Sequence, residues 1–149
     1  MIDDALDRAE TPDDALVHGE TTGDALVLIG EDEPDNQVIL QTVVEMLVGA
    51  RAEVAGDGLA VLASVERERP RMILLDLMLP GLDGFQVARQ LKGDPATRTI
   101  PIVAVSAMAR ADDREAALAA GCDEFVRKPF ELDDLEALIR RYLTNGGAF

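Results

Sequence analysis

The sequence predicts an α/β domain, a doubly wound five-stranded parallel sheet in the order 2-1-3-4-5 with five helices. Three observations predict it. From Asp24 onward, apolar runs of strand length alternate with amphipathic stretches of helix length in a regular βα repeat. The run Met72 to Leu75 is apolar throughout, as suits a strand buried on both faces, and it stops on an acid, Asp76. Pro80, Gly81, Asp83 and Gly84 follow, turn chemistry that ends the strand and delivers the chain to a helix. An acid there is costly unless it lies at the open carboxyl end of the strand, where open α/β sheets bind ligands. Right-handed crossovers put helices on both faces of the sheet. In this order strands one and three are neighbours, and the winding reverses between them.

The elements follow in sequence. Ala25 to Ile29 is the first strand, and Gly30 leads into Glu31, Asp32 and Glu33, with Pro34 suited to the first turn of a helix. Glu33 is read as an exposed acid favouring the positive end of that helix. The helix, about 35 to 49, carries Ile39, Val43 and Met46 with Leu47 at core spacing and ends at Gly49. Arg51 to Ala55 is the second strand. Gly56, Asp57 and Gly58 turn into a second helix with Leu59, Leu62 and Val65 inward, which stops before Pro70. After the third strand, a helix over about 84 to 92 turns Phe85, Ala88 and Leu91 to one face and is broken by Gly93, Asp94 and Pro95. Ile100 to Val105 is strand four, ending on Ser106, and an Ala-rich helix over about 111 to 120 ends at Gly121. Glu124 to Arg127 is strand five, ending on Lys128 and Pro129. The last helix, about 131 to 144, has Leu132, Leu135, Leu138, Ile139 and Tyr142 on one stripe.

Size and charge bound the function. The 149 residues, 48% of them hydrophobic, suffice for one core with a tail. Residues 1–23, rich in Asp, Glu and Thr, read as an acidic, disordered tail; 24–145 form the domain and 146–149 a short C-terminal tail. A faint DDAL, DDAL, GDAL echo in that tail is too short to argue a repeat, and the single histidine, His18, lies there as a solvated residue. No apolar run reaches membrane-spanning length and no basic region precedes an apolar one at the N-terminus, so the expectation is a cytoplasmic protein without a membrane role. One cysteine, Cys122, permits no internal disulfide and reads as a small buried side chain. A net charge of −15, from 29 acidic and 14 basic residues, disfavours a hold on nucleic acid or anionic lipid.

The chemistry lies just past the strands: Glu31 and Asp32 after the first, Asp76 after the third, Ser106 after the fourth, Lys128 after the fifth. In a parallel sheet these ends share one edge. Three carboxylates crowded together raise one another's pKa unless a cation neutralises them, and a hard divalent ion that keeps several waters, Mg²⁺, suits oxygen ligands. Lys128 adds a compact positive charge and Ser106 a hydroxyl. An acid, a metal, an ammonium and a hydroxyl around one point are what a phosphoryl group needs.

Four segments, GEDEPDN at 30–36, LLDLMLPGLDG at 74–84, VSA at 105–107 and FVRKPF at 125–130, together resemble the receiver domain of two-component response regulators, over about 120 residues. The resemblance implies the flavodoxin-like receiver fold. It implies that Asp76 accepts a phosphoryl group from a histidine kinase or histidine phosphotransfer protein. It further implies that Glu31 and Asp32 hold Mg²⁺, with Asp76 and the backbone carbonyl of Met78 completing the protein ligands. Lys128 would contact the phosphoryl oxygens across a cis peptide to Pro129, a bond found essentially only at proline. Ser106 would be the switch hydroxyl and Phe125 the coupled aromatic, together remodelling the surface of helix four, strand five and helix five for an unidentified protein target.

The departures from the family pattern also speak. Glu31 stands where Asp is common, Ser106 where Thr is commoner, and Phe125 where Tyr is common, so no aromatic hydroxyl takes part. Met78 and Met108, two residues after Asp76 and Ser106, flank the path of hydrolytic water in the family. Neither can orient a water, which predicts a long-lived phosphoryl state. Only TNGGAF follows the last helix, so the reading is a stand-alone module that modifies and slowly unmodifies itself rather than an enzyme with turnover. A receiver fragment of a larger regulator or hybrid kinase is the alternative. A phosphatase of the haloacid-dehalogenase type would place a second Asp at position 78, and a flavin binder would need a hydroxyl-rich loop after strand one and aromatic rings to stack on.

Overall fold

The computed structural model describes residues 23–107 and 110–144. The N-terminal tail with His18, Met108 and the C-terminal tail lie outside the described residues. Among the described residues, strands and helices follow one another in a βα repeat. The strands are β1 (Leu26–Gly30), β2 (Arg51–Ala55), β3 (Met72–Leu75), β4 (Ile102–Ser106) and β5 (Glu124–Arg127). The helices are α1 (Pro34–Thr42), continued by a wider π-helical stretch (Val43–Val48), then α2 (Gly58–Arg67), α3 (Gly84–Gly93), α4 (Ala111–Ala120) and α5 (Leu132–Thr144). The strands pair in parallel in the order β2-β1-β3-β4-β5.

Side chains alternate across the sheet and build a core on each face. Leu28, Ile73, Leu75, Ile102 and Ala104 pack with α2, α3 and α4 through Val61, Val87, Leu91 and Ala117. Val27, Ile29, Leu74, Val103 and Val105 pack on the other side with α1 and α5 through Leu40, Val44, Leu135 and Ile139. Every residue of β1, β3 and β4 is buried. That explains their nearly unbroken apolar runs. Gly49 and Gly121 close the first and fourth helices in the left-handed conformation, with φ of 86° and 113°. None of the helices in the described residues is long and apolar enough to cross a membrane.

The sheet order matches the expectation, and so do the bounds of β2, α4 and β5. Three helix faces differ. In the first helix the inward residues are Leu40, Val43, Val44 and Val48, while Ile39 and Met46 are exposed. The wide turn at its end, where Gly49 and Ala50 donate to the Val44 carbonyl, takes more residues per turn than a 3.6 period allows. In α2 the inward stripe is Gly58, Val61 and Val65, and Leu59 is 67% exposed. Gly58 must face inward because its Cα lies against the backbone of Leu82, where an added Cβ would stand 1.8 Å from the carbonyl oxygen. In α5, Leu132 is half exposed at the overhanging first turn, and Leu143 takes the buried place.

Candidate functional site

The carboxyl ends of β1, β3 and β5 carry the acids and the lysine to one edge of the sheet. After β1 the Glu31 N–H still donates to the Ala55 carbonyl at 3.0 Å, and the Glu31 carbonyl accepts from Gln37 Nε2 at 2.7 Å. Pro34 opens α1 and Glu33 caps it, accepting from the Asp35 N–H. Asp76 is held on the β1 ladder by its N–H to the Gly30 carbonyl at 2.8 Å, and its Oδ1 accepts from the Met78 N–H at 2.9 Å. The loop from 77 to 83 returns under Asp76: Gly84 N–H donates to the Leu77 carbonyl at 3.1 Å, and Asp83 with Gln86 forms a reciprocal cap on α3. Gly81 sits at φ 74°, the left-handed turn position that the Pro-Gly pair supplies. A Cβ on Gly84 would lie 2.6 Å from both the Asp76 carbonyl oxygen and the Leu77 Cα, so only glycine lets the helix start this close beneath the acid.

Ser106 ends β4 fully buried, and the Lys128 N–H donates to its carbonyl at 2.9 Å, so the two residues stand side by side on neighbouring strands. The Lys128–Pro129 peptide is cis. The Lys128 ammonium lies 2.8 Å from Glu31 Oε1 and 3.0 Å from Asp76 Oδ2. Glu31 and Asp76 are 1% and 8% exposed, while Asp32 is open to solvent. Burial pushes the Glu31 carboxyl above its usual range, against the pull of Lys128 and the Glu33 N–H. Burial also works against the Lys128 ammonium, but its bonds to Glu31 and Asp76 outweigh that and hold it above its ordinary value.

One carboxylate oxygen from each of Glu31, Asp32 and Asp76 lies within 4.8 Å of the others. Lys128 balances one of the three charges. Asp32 takes no hydrogen bond or ion pair among the described residues. A cluster of hard oxygen donors with two uncompensated negative charges and one unengaged acid fits a small divalent cation. Of the residues singled out from sequence, the structure brings Glu31, Asp32, Asp76 and Lys128 together, with Ser106 beside Lys128 along the edge. Phe125 pairs across to Ala104 and is partly buried against the α2–α4 core. The Met78 side chain is 58% exposed.

Three supporting residues escaped the sequence reading. Gln37 pins the Glu31 backbone, Gly58 abuts the loop at Leu82, and Gly84 admits α3 beneath Asp76. Gln37 follows Glu31 by six residues across a strand end and a helix start, a spacing with no periodic signature. The glycines stood in view as turn residues, with nothing local to show what they touch.

Comparison with known proteins agrees with this geometry. Residues 27–140 match the family model described as the response regulator receiver domain. The chain is 45% identical over 86 residues to the response regulator PleD of Caulobacter vibrioides, a match covering 58% of this chain and 18% of PleD. It is 33% identical over 116 residues to an uncharacterized 14.6 kDa protein of Leptolyngbya boryana, covering 78% of this chain and 88% of that one. Among solved structures, the receiver domain of the sensor histidine kinase PA1611 of Pseudomonas aeruginosa superposes with a TM-score of 0.75 at 34% identity. That match covers 82% of this chain and 99% of that domain, whose structure has a magnesium ion coordinated in the active site cleft.

Proposed function

The chain belongs to the family of response regulator receiver domains, and from that premise we propose that it is a phosphoacceptor module of two-component signalling. Asp76 takes a phosphoryl group from a histidine kinase or a histidine phosphotransfer protein. The observation that supports this most is the Lys128 ammonium 3.0 Å from the Asp76 carboxylate, inside a buried acid cluster at the strand ends. In the transfer a carboxylate oxygen of Asp76 bonds to phosphorus, the phosphorus–nitrogen bond of the donor breaks, and the imidazole nitrogen keeps the electron pair.

Asp32, Asp76 and the Met78 carbonyl would hold Mg²⁺, with Glu31 as the third acid of the set. When bound, the metal supplies charge neutralisation for the acids and for the equatorial phosphoryl oxygens. Lys128 moves its hydrogen bond from Asp76 to a phosphoryl oxygen, Ser106 offers its hydroxyl to another, and Phe125 follows by turning toward the space the serine leaves. The output is a changed surface on α4, β5 and α5, read by a protein partner in the cytoplasm. Whether the module acts alone or within a larger regulator, its chemistry is self-modification without turnover of a substrate. A phosphatase reading lacks its general acid, since position 78 is methionine. The test is incubation with Mg²⁺ and a histidine-phosphorylated transfer protein: label passing to this chain supports the reading, and release of inorganic phosphate with multiple turnover supports the phosphatase.

A further inference from the structure

The edge of the sheet opposite Asp76, where the strands begin, carries a row of arginines. Arg51 opens β2, and Arg71 stands directly before β3. Arg69 donates to the Ala96 carbonyl on the loop between α3 and β4, and the same loop carries Arg98. The chain enters the domain inside this row. At the entry the Arg51 N–H donates to the Ala25 carbonyl at 2.9 Å from one side, and the Arg71 N–H to the Leu26 carbonyl at 2.8 Å from the other. Residues 1–22 therefore join the fold between Arg51 and Arg71.

The two sides of that entry differ in charge balance. On the β2 side, Arg51 is paired with Glu68 and Arg67 with Glu53. On the β3 side, Arg69 and Arg71 donate to the main-chain carbonyls of Ala96 and Leu143, and a carbonyl satisfies a donor without cancelling its charge. Arg98 is exposed, and its guanidinium takes no partner among the described residues. Two acids lie on that side: Asp123 is balanced by Lys92 at 3.0 Å, and Asp94 is turned back onto the Ala96 N–H at 2.9 Å.

Residues 1–22 hold seven acids against one base, Arg8. The whole chain carries −15, so most of its surface repels such a segment while the β3 side of this edge attracts it. Reach is no obstacle. Glu20, Asp14 and Asp13 lie within ten residues of Gly23, and a chain spans up to about 3.3 Å per residue. The step from β1 to β4 is two strand spacings, about 10 Å. Exposed ion pairs are weak one by one, but tethering holds these acids at high local concentration beside the arginines.

We propose that residues 1–22 dock through their acids on Arg69, Arg71 and Arg98, covering the β3–β4 side of the N-terminal edge of the sheet and leaving the Asp76 edge open.

The experiment places a nitroxide label at Thr11→Cys in the full chain with Cys122→Ser, and reads the broadening of ¹⁵N-labelled backbone amides. A tethered segment without a docking site broadens both sides of its entry alike. The expected result at low salt is stronger broadening at Arg71 and residues 97–100 than at residues 49–51. In 1 M salt, where charges are screened beyond about 3 Å, the two sides become equal. Arg69→Glu with Arg98→Glu equalises them at low salt. Equal broadening on the two sides of the parent at low salt overturns the proposal, as does an asymmetry that survives in the double variant. Should that variant fail to fold, the salt series decides alone. A mixture of spin-labelled chain with ¹⁵N-labelled chain that lacks the nitroxide is expected to show no broadening at this edge. Broadening there as strong as within one chain overturns the assignment, because the occupant would then be the segment of a second copy.

Discussion

The Lys128 ammonium and the Asp76 carboxylate meet at 3.0 Å although 52 positions separate them, because β3 and β5 end on the same edge on either side of β4. With Glu31 and Asp32 beside them the group carries an excess of negative charge that a divalent cation can cancel. Ligand binding to the folded state alone raises stability by about 2.7 kcal/mol at a concentration one hundred times Kd. Millimolar Mg²⁺ is therefore predicted to raise the melting temperature of the parent protein, with Ca²⁺ less effective and monovalent salt at matched ionic strength ineffective. Asp32→Asn is predicted to lose most of that rise in a thermal scan.

Gly84 predicts a defect that begins in packing and ends in the site. A methyl group there would stand 2.6 Å from the Asp76 carbonyl oxygen and the Leu77 Cα, both backbone atoms that cannot swing aside. Gly84→Ala is predicted to cost about 1–3 kcal/mol in chemical denaturation, the range of an overpacked core site. It should also weaken Mg²⁺ binding, since the loop must shift at Asp76 and Met78. Gly93→Ala, where a Cβ meets nothing within 4 Å, is the control and should leave Mg²⁺ binding unchanged.

On the proposed function, Met78 would bear on how long a phosphoryl group stays on Asp76. It is 58% exposed just after β3 and has no group that can orient a water for attack on phosphorus. The phosphorylated protein is predicted to hold its phosphoryl group for minutes or longer, and Met78→Asn to shorten that lifetime several-fold. The decay of intact phosphoprotein after removal of the donor measures it; loss within seconds in the parent would contradict the prediction.

Cys122 gives a pH prediction away from the site. Burial raises its thiol from the ordinary 9.0 to about 11, with Asp123 adding to the effect. A raised folded value means that the folded chain keeps a proton the unfolded chain releases. The stability this contributes is complete below pH 9 and is lost as pH climbs toward 11. The native thiol is accordingly predicted to react with an aromatic disulfide reagent at pH 8 far more slowly than the same thiol in denaturant, and Cys122→Ser to flatten the stability loss between pH 9 and 11. Equal thiol reactivity in the native and denatured protein would contradict this.

Much of the architecture was written in local pattern. Arg51–Ala55, Ala111–Ala120 and Glu124–Arg127 are bounded by glycine, aspartate and proline, whose conformational preferences act within a residue or two, so their ends read directly from sequence. The inward faces of helices were harder, because Leu59 and Val61 are both apolar and only the approach of Leu82 to Gly58 decides between them. Met46 misled for a related reason, because the π-helical turn over Val43–Val48 breaks the period on which the expectation depended, and Ile39 misled because its apolar neighbour Leu40 takes the buried place. In the site, strand ends alone were enough to gather the acids and Lys128. The burial of Glu31 and its clamp by Gln37 and Ala55 were not legible, since they depend on what the tertiary fold lays over the first βα turn.

The most direct test is the intact mass of the protein after exposure to acetyl phosphate and Mg²⁺, for the parent and for Asp76→Asn. The predicted result is the added mass of one phosphoryl group on the parent, none on Asp76→Asn, and none on the parent when a chelator removes the metal. A parent that stays unmodified, or an Asp76→Asn variant that gains the same mass, would contradict the assignment of Asp76 as the acceptor.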